Sequence, residues 1–200
     1  MSVVTISREL GSDGTQIAEA VAGRLGAHCV DKEVLAEMAR LAGVSVQAVV
    51  DAEERLLSRP TVVSDEMRAF FKRSQAPGGF SEEQYIEQMA AAIRAMADQG
   101  DIVFVGRGAQ IVLAGRADAL HVHLYAPEDV RAARIGKRRN LADANTALRL
   151  IQQSDEQRRD WYRRFFSRAN WKDSRYYHLM INTGRIAAEQ AVEIIVRAAQ

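Results

Sequence analysis

The positions in this chain that could do chemistry are glycines and arginines. Ser7-Arg8-Glu9-Leu10-Gly11-Ser12-Asp13-Gly14-Thr15-Gln16 sets two glycines between the apolar run Val3–Ile6 and a helical pattern beginning near Thr15. A glycine turn joining a strand to a helix is where a phosphate cradle belongs, because backbone N–H groups and the helix N-terminus point at the anion. The complete phosphate-loop pattern G-x-x-x-x-G-K-[S/T] is not met: the lysine position holds Gly14, and the hydroxyl position falls on Thr15 or Gln16. Asp13 adds a carboxylate beside the expected phosphate. At ~5 Å and an effective dielectric near 20 that is roughly 3 kcal/mol of repulsion per unit charge, unless a metal intervenes or the side chain turns away. An ordinary glycine turn carries the same signature.

Further basic positions follow strand ends. Arg107, between Gly106 and Gly108, follows the apolar run Ile102–Val105, where an arginine can reach a phosphate while the backbone approaches closely. Arg131, Arg134 and Arg138 are three and four apart, so they share one helix face, and a row of like charges repels itself unless an anion neutralises it. Asp155 with Arg158 or Arg159 reads equally as a solvated pair within a helix or as a ligand contact. Trp161, Tyr162, Phe165 and Phe166 read as core rather than as a base-stacking platform. Asn182-Thr183 ends a strand and reads as a cap for the following helix. His28, His121, His123 and His178 show no metal-ligand spacing.

These residues need a scaffold, and hydrophobic periodicity supplies one. Short apolar runs at Val3–Ile6, His28–Val30, Ile102–Val105, Leu120–Tyr125 and His178–Ile181 read as five strands. Helical patterns alternate with them: one from Thr15 to Leu25, several short ones after Asp31, one from Ser81 to Met96, then Pro127–Arg139, Asp143–Arg168 and Ile186–Ala198. Pro60 divides the second group from Val62–Lys72, and Ala76-Pro77-Gly78-Gly79 reads as a loop. Strands alternating with helices predict an α/β fold with a parallel sheet.

Composition narrows the function classes. The chain has 200 residues, 48% hydrophobic and 26% charged, enough for a single domain with one core and unlike a disordered chain. No apolar run approaches the roughly 18 residues of a membrane helix, and the first residues do not form a secretory signal. The single cysteine, Cys29, cannot pair internally, so a reducing, cytoplasmic setting is expected. The net charge of +1 conceals an asymmetry: residues 1–130 carry net −7 and residues 131–200 net +8. Eleven arginines but only two lysines fall between Arg131 and Arg175, which favours a phosphate-bearing ligand over generic solubility.

Taken in order, the glycine turn, Val105-Gly106-Arg107-Gly108, Leu124-Tyr125-Ala126-Pro127 with Arg131 and Arg134, Asp155 with Arg158 and Arg159, and Ile181-Asn182-Thr183 resemble the cytidylate kinase-like family. So do Thr5-Ile6-Ser7-Arg8-Glu9-Leu10-Gly11-Ser12 and Asp31-Lys32-Glu33, and the resemblance runs nearly the whole chain. It implies a three-layer P-loop kinase fold: a five-stranded parallel sheet, a helical substrate-side insertion after strand two (residues 31–98), and an arginine-rich lid with a long helix (residues 127–168). It implies Mg·ATP as phosphoryl donor and a nucleoside monophosphate such as CMP or dCMP as acceptor. Gly11, Ser12, Asp13, Gly14, Thr15 and Gln16 would hold the donor, with Mg²⁺ near Thr15. Arg131, Arg134 and Arg158 would supply the positive charge for transfer, and Asp31, Arg107, Asp155 and Arg159 would lie on the acceptor side.

The chain departs from cytidylate kinases in lacking the loop lysine, in Asp13, in Gly108 where an aspartate follows the arginine, and in residues 31–80. A different class of function, a non-catalytic nucleotide sensor or scaffold, fits the missing lysine and Asp13. An RNA-binding module built on residues 131–175 ranks last, because few aromatics interleave with the arginines and the overall charge is near zero. The expected partner is a small-molecule nucleotide, not a membrane or a nucleic acid. The sequence leaves homo-oligomerisation open.

Overall fold

A computed structural model describes residues 2–58, 81–167 and 169–200. The expected break at Pro60, the helix Val62–Lys72 and the loop Ala76–Gly79 lie outside the described residues. In chain order the elements are β1 (Val3–Arg8), α1 (Gly14–Leu25), β2 (His28–Val30), α2 (Glu33–Ala42), α3 (Val46–Ser58), α4 (Glu82–Asp98), β3 (Ile102–Val105), a single turn α5 (Ala109–Val112), β4 (Ala119–Tyr125), α6 (Glu128–Arg138), α7 (Ala144–Phe165), a 3₁₀ turn (Ser174–Tyr176), β5 (Leu179–Asn182) and α8 (Ala188–Ala198).

The chain forms two compact units, Met1–Asp31 with Arg94–Gln200, and Lys32–Ile93. The smaller unit packs α2 on α3. Ser45 starts α3 by accepting the Ala48 N–H at 3.1 Å, as expected of a capping serine. Buried Val34, Leu35, Met38, Val49, Ala52 and Leu56 are the apolar stripes of these two helices.

The larger unit is the three-layer α/β fold that the sequence predicts. Its strands are all parallel, in the order β2-β3-β1-β4-β5. Central strands buried on both faces must be apolar on at least one, and here one face is. Val4, Ile6, Val103, Val105, Val122, Leu124 and Ile181 meet Ile17 and Val21 of α1 and Val192 and Ile195 of α8.

The other face is polar and aromatic. Thr5 Oγ1 bonds His121 Nδ1 at 2.9 Å, Gln110 Nε2 donates to Tyr162 Oη at 2.9 Å, and His123 packs edge-on to Trp171. Tyr162, Phe165 and Trp171 are buried and Trp161 and Phe166 half-buried, the core role expected of the first four aromatics of that group.

Three local readings are corrected. β1 runs on through Ser7 and Arg8, because both pair with β4, opposite His123 and Leu124. Asn182-Thr183 does not cap the last helix, which starts only at Ala188; Asn182 Oδ1 instead accepts the Gly184 N–H at 3.0 Å. The turn α5 and the 3₁₀ turn were not expected, since neither is long enough to show a helical period. β1 is the middle strand, and the chain leaves it in the direction opposite to that taken from β3 and β4. Its carboxyl end is therefore the topological switch point where ligands of open parallel sheets lie.

Candidate functional site

The glycine turn sits at that end. Ser12 donates to Glu9 O through both N–H (3.2 Å) and Oγ (2.8 Å), so residues 9–12 close into a tight turn. Gly11 has φ +85°, and a Cβ there would lie 2.7 Å from the Arg131 carbonyl oxygen, so the loop touches α6 directly. Asp13, in the left-handed region at φ 60°, precedes α1 and makes no side-chain cap. The first N–H groups of α1, on Gly14, Thr15 and Gln16, have no partner within the helix, and Thr15 and Gln16 are exposed.

The three arginines of the α6 face do lie together, and each meets an anion of this chain. Arg134 Nε is 3.2 Å from Asp13 Oδ2, and Arg138 pairs with Asp13 Oδ1. Arg134 also donates to Gly11 O (3.3 Å), Thr183 Oγ1 (3.2 Å) and Thr183 O (2.8 Å). Thr183 Oγ1 in turn lies 2.9 Å from Ser12 O. These bonds tie the lid helix, the loop and the end of β5 into one frame.

Arg131 is only 2% exposed and points inward. Its Nη1 and Nη2 donate to Asp155 Oδ1 and Oδ2 at 3.1 and 3.0 Å, a bidentate pair, and its Nε stands 3.3 Å from Glu9 Oε2. Lys172 Nζ closes the square, 2.6 Å from Glu9 Oε1 and 3.0 Å from Asp155 Oδ2. Burial raises the Asp155 pKa, but the bonds from Arg131 and Lys172 outweigh it and hold the carboxyl below its ordinary range. Asp155 is thus a buried junction and not a member of a solvated pair. Arg158 Nη1 reaches it only at 4.0 Å, and Arg159 is exposed.

On the β3 side, Arg8 lies across the strand ends, donating to Val105 O at 3.3 Å and to Asp31 Oδ2 at 3.0 Å. Arg107 is half-buried at φ 56°, between Gly106 and Gly108, which are also at positive φ. Arg158 lies with its guanidinium carbon 4.9 Å above the Trp171 ring, and its buried Nη1 makes no hydrogen bond. Burial, then the nearby charge of Arg8, pulls its pKa below the usual arginine value.

A magnesium ion finds no dedicated protein site among the described residues. No group of three or more His, Cys, Asp or Glu side chains converges. Asp13, Asp31, Glu9 and Asp155 are each held by guanidinium or ammonium groups, and Thr15 offers one exposed hydroxyl. Magnesium keeps waters and substrate phosphate oxygens among its six ligands, so at a bound nucleotide it would ask no more of the protein than that hydroxyl.

Sequence reasoning overlooked Arg8, Glu9, Lys172 and Thr183 as site residues. Arg8 carries the signal that marks Arg107, an arginine at the carboxyl end of a central strand. Lys172 carried no such signal, because it reaches Glu9 through an irregular segment after α7.

Comparison with known proteins agrees with this architecture. The profile of the cytidylate kinase-like family matches residues 3–185. A cytidylate kinase from Methanopyrus kandleri is 30% identical over 110 residues, 51% of this chain and 56% of that protein, so the chain spans about half the length of the curated relative it matches. An uncharacterised protein from Eubacterium ventriosum has the same fold, with TM-score 0.69 and 20% identity over 100% of this chain and 98% of its own. TT1252 from Thermus thermophilus follows at TM-score 0.51 and 15% identity, covering 98% and 95%. With the family matched from the first strand past the end of the fifth, the chain belongs to the cytidylate kinase-like family.

Proposed function

We propose that this protein transfers the γ-phosphoryl group of ATP to a nucleoside monophosphate, CMP or dCMP in the first instance. Family membership supports kinase-type transfer, and the observation that carries the reading is the ring of cations around the carboxyl end of β1. Phosphoryl transfer asks a protein for positioning and charge neutralisation more than for covalent chemistry. The first N–H groups of α1 and the turn Gly11–Thr15 face the donor phosphates. Arg134 and Arg158 neutralise charge on the transferring group. Arg131 acts from within, fixing Asp155 and the loop rather than touching substrate. Arg107, and Asp31 behind Arg8, face the acceptor. The acceptor oxygen is already anionic, so no general base is needed. A divalent ion that enters does so on the nucleotide's phosphates.

One observation favours a second reading. Asp13 already sits on Arg134 and Arg138, where a phosphate would bind. A protein that binds nucleotide without turnover, a sensor or scaffold, fits a site so filled. The test is incubation with Mg·ATP and each nucleoside monophosphate in turn, with products separated by ion-exchange chromatography. Formation of ADP and a nucleoside diphosphate in equal amounts supports the kinase. Saturable nucleotide binding with no ADP from any acceptor supports the sensor. Arg107→Ala should raise the acceptor KM at least tenfold with the ATP KM unchanged, and equal loss on both sides removes Arg107 from the acceptor site.

A further inference from the structure

We propose that Arg8 and Arg158 form a phosphate-binding pair at the carboxyl ends of β1 and β3, with Arg8 supplying the cation that the glycine loop lacks as a lysine. The inference deepens the kinase reading and rests on it for the identity of the ligand, but not for the presence of the anion site.

Glu9 and Asp155 are matched by Arg131 and Lys172, and Asp31 faces Arg8. Arg158 is left over: its Nη1 is buried, makes no hydrogen bond and comes no nearer than 4.0 Å to Asp155 Oδ1. A guanidinium nitrogen shut off from water with no hydrogen-bond acceptor is costly in a folded protein unless an anion joins it.

Arg8 meets the same sheet edge from the opposite side. Its Cβ and Cγ lie on the backbone of Gly14; a Cβ on Gly14 would fall 2.4 Å from Arg8 Cβ. Its Nη1 crosses above Gly106, where a Cβ would fall 2.3 Å away. Two glycines thus leave the channel in which this side chain lies. Val105 O and Asp31 Oδ2 fix its orientation and use two of its five N–H groups.

Arg158, Tyr162 and Phe166 follow one another at four-residue spacing along one face of α7 and its end, and the Phe166 ring lies where a Cβ on Gly108 would fall, two residues from the Gly106 that Arg8 crosses. The two guanidinium charges act on each other. Like charges brought together at a switch point, one of them lacking hydrogen-bond partners, are the arrangement a phosphate oxyanion relieves. A lysine rising from the helix could not take this place, because Arg8 fills the space beside Gly14.

The test uses inorganic pyrophosphate as probe, titrated into the full chain and followed by tryptophan fluorescence, since Trp171 lies under Arg158. Wild type should bind saturably, Arg8→Gln and Arg158→Gln each at least tenfold more weakly, and Arg8→Lys by an intermediate factor of about three. Arg175→Gln, which removes the same charge from an exposed residue, should match wild type. The proposal is overturned if wild type does not bind, if Arg8→Gln or Arg158→Gln stays within twofold of wild type, or if Arg175→Gln weakens binding as much as they do. Should Arg8→Gln fail to fold, as judged by its circular dichroism and melting curve, Arg8→Lys and Arg158→Gln decide by the same thresholds. Arg8-dependent pyrophosphate binding without ADP formation from any acceptor would retain this site and reject the kinase reading.

Discussion

Arg134 Nε lies 3.2 Å from Asp13 Oδ2, so a guanidinium of the lid helix is held by a carboxylate of the very loop expected to cradle phosphate. Asp13 and a phosphate therefore compete for Arg134 and Arg138. Asp13→Asn removes the competing charge and keeps the side-chain size. Nucleotide affinity measured by calorimetry should rise about tenfold, the effect of about 1.4 kcal/mol. Unchanged or weaker affinity would show that Asp13 does not stand in the phosphate's way. Asp13→Gly should give the same gain while also relieving a non-glycine residue at φ 60°.

The Arg131–Asp155 pair is a matter of stability first. Arg131 is buried, and Asp155→Asn leaves its guanidinium beside Glu9 alone while Lys172 loses a partner. Breaking a buried pair from one side costs about 3–5 kcal/mol. Urea unfolding should show a loss of that size for Asp155→Asn. The double variant Arg131→Met with Asp155→Leu leaves Glu9 and Lys172 matched and should be less destabilised than the sum of the two single changes. Additive losses would mean that the pair is not coupled.

Gly11 and Gly23, twelve residues apart, make a contrast. At Gly11 a methyl group meets the Arg131 carbonyl oxygen at 2.7 Å, which is backbone and cannot swing away, and the φ of +85° is hostile to any L side chain. Gly11→Ala should cost about 2–5 kcal/mol. Gly23 lies within α1 with nothing inside 4 Å of the added atom. Gly23→Ala should stabilise by about 0.5–1 kcal/mol. Melting temperatures that move in the same direction for both would refute the close approach of α6 to the loop.

The parts of the fold read from sequence are those with a strong period or a buried strand. Ile102–Val105 is apolar throughout because both sheet faces are covered, and α6 shows its arginines at helical spacing. The site was legible where a strand end carried an unusual residue, as at Arg107. It was not legible where the partner is distant in sequence. That Asp155 belongs to Arg131, Glu9 and Lys172 follows from the packing of α7 against α6, which no local pattern encodes. Thr183 misled for the same reason. A threonine after a strand has the signature of a cap, while its actual acceptors lie on β4 and on the glycine loop.

The two buried histidines of β4 make the fold sensitive to acid. His121 is 3% and His123 1% exposed, and neither can take up a proton without bringing a charge into the polar-aromatic layer. Burial, with His178 beside it, lowers His121 to about 4, and burial, with Lys172 and Arg158 nearby, lowers His123 to about 3. In the unfolded chain both titrate near 6.5. Between these values the unfolded chain binds more protons than the native one, so stability falls with falling pH. The contribution is complete above about pH 6.5 and is lost progressively below it, through pH 4 and towards pH 3. At about 1.4 kcal/mol per pH unit the two together amount to several kcal/mol. Urea midpoints should be level from pH 8 to 7 and decline steadily from pH 6 to 4. His123→Phe keeps the ring among Tyr125, Trp171 and Tyr177 and removes the titrating group, so its decline should be shallower. If wild type and this variant fall in parallel below pH 6, the acid sensitivity does not come from His123.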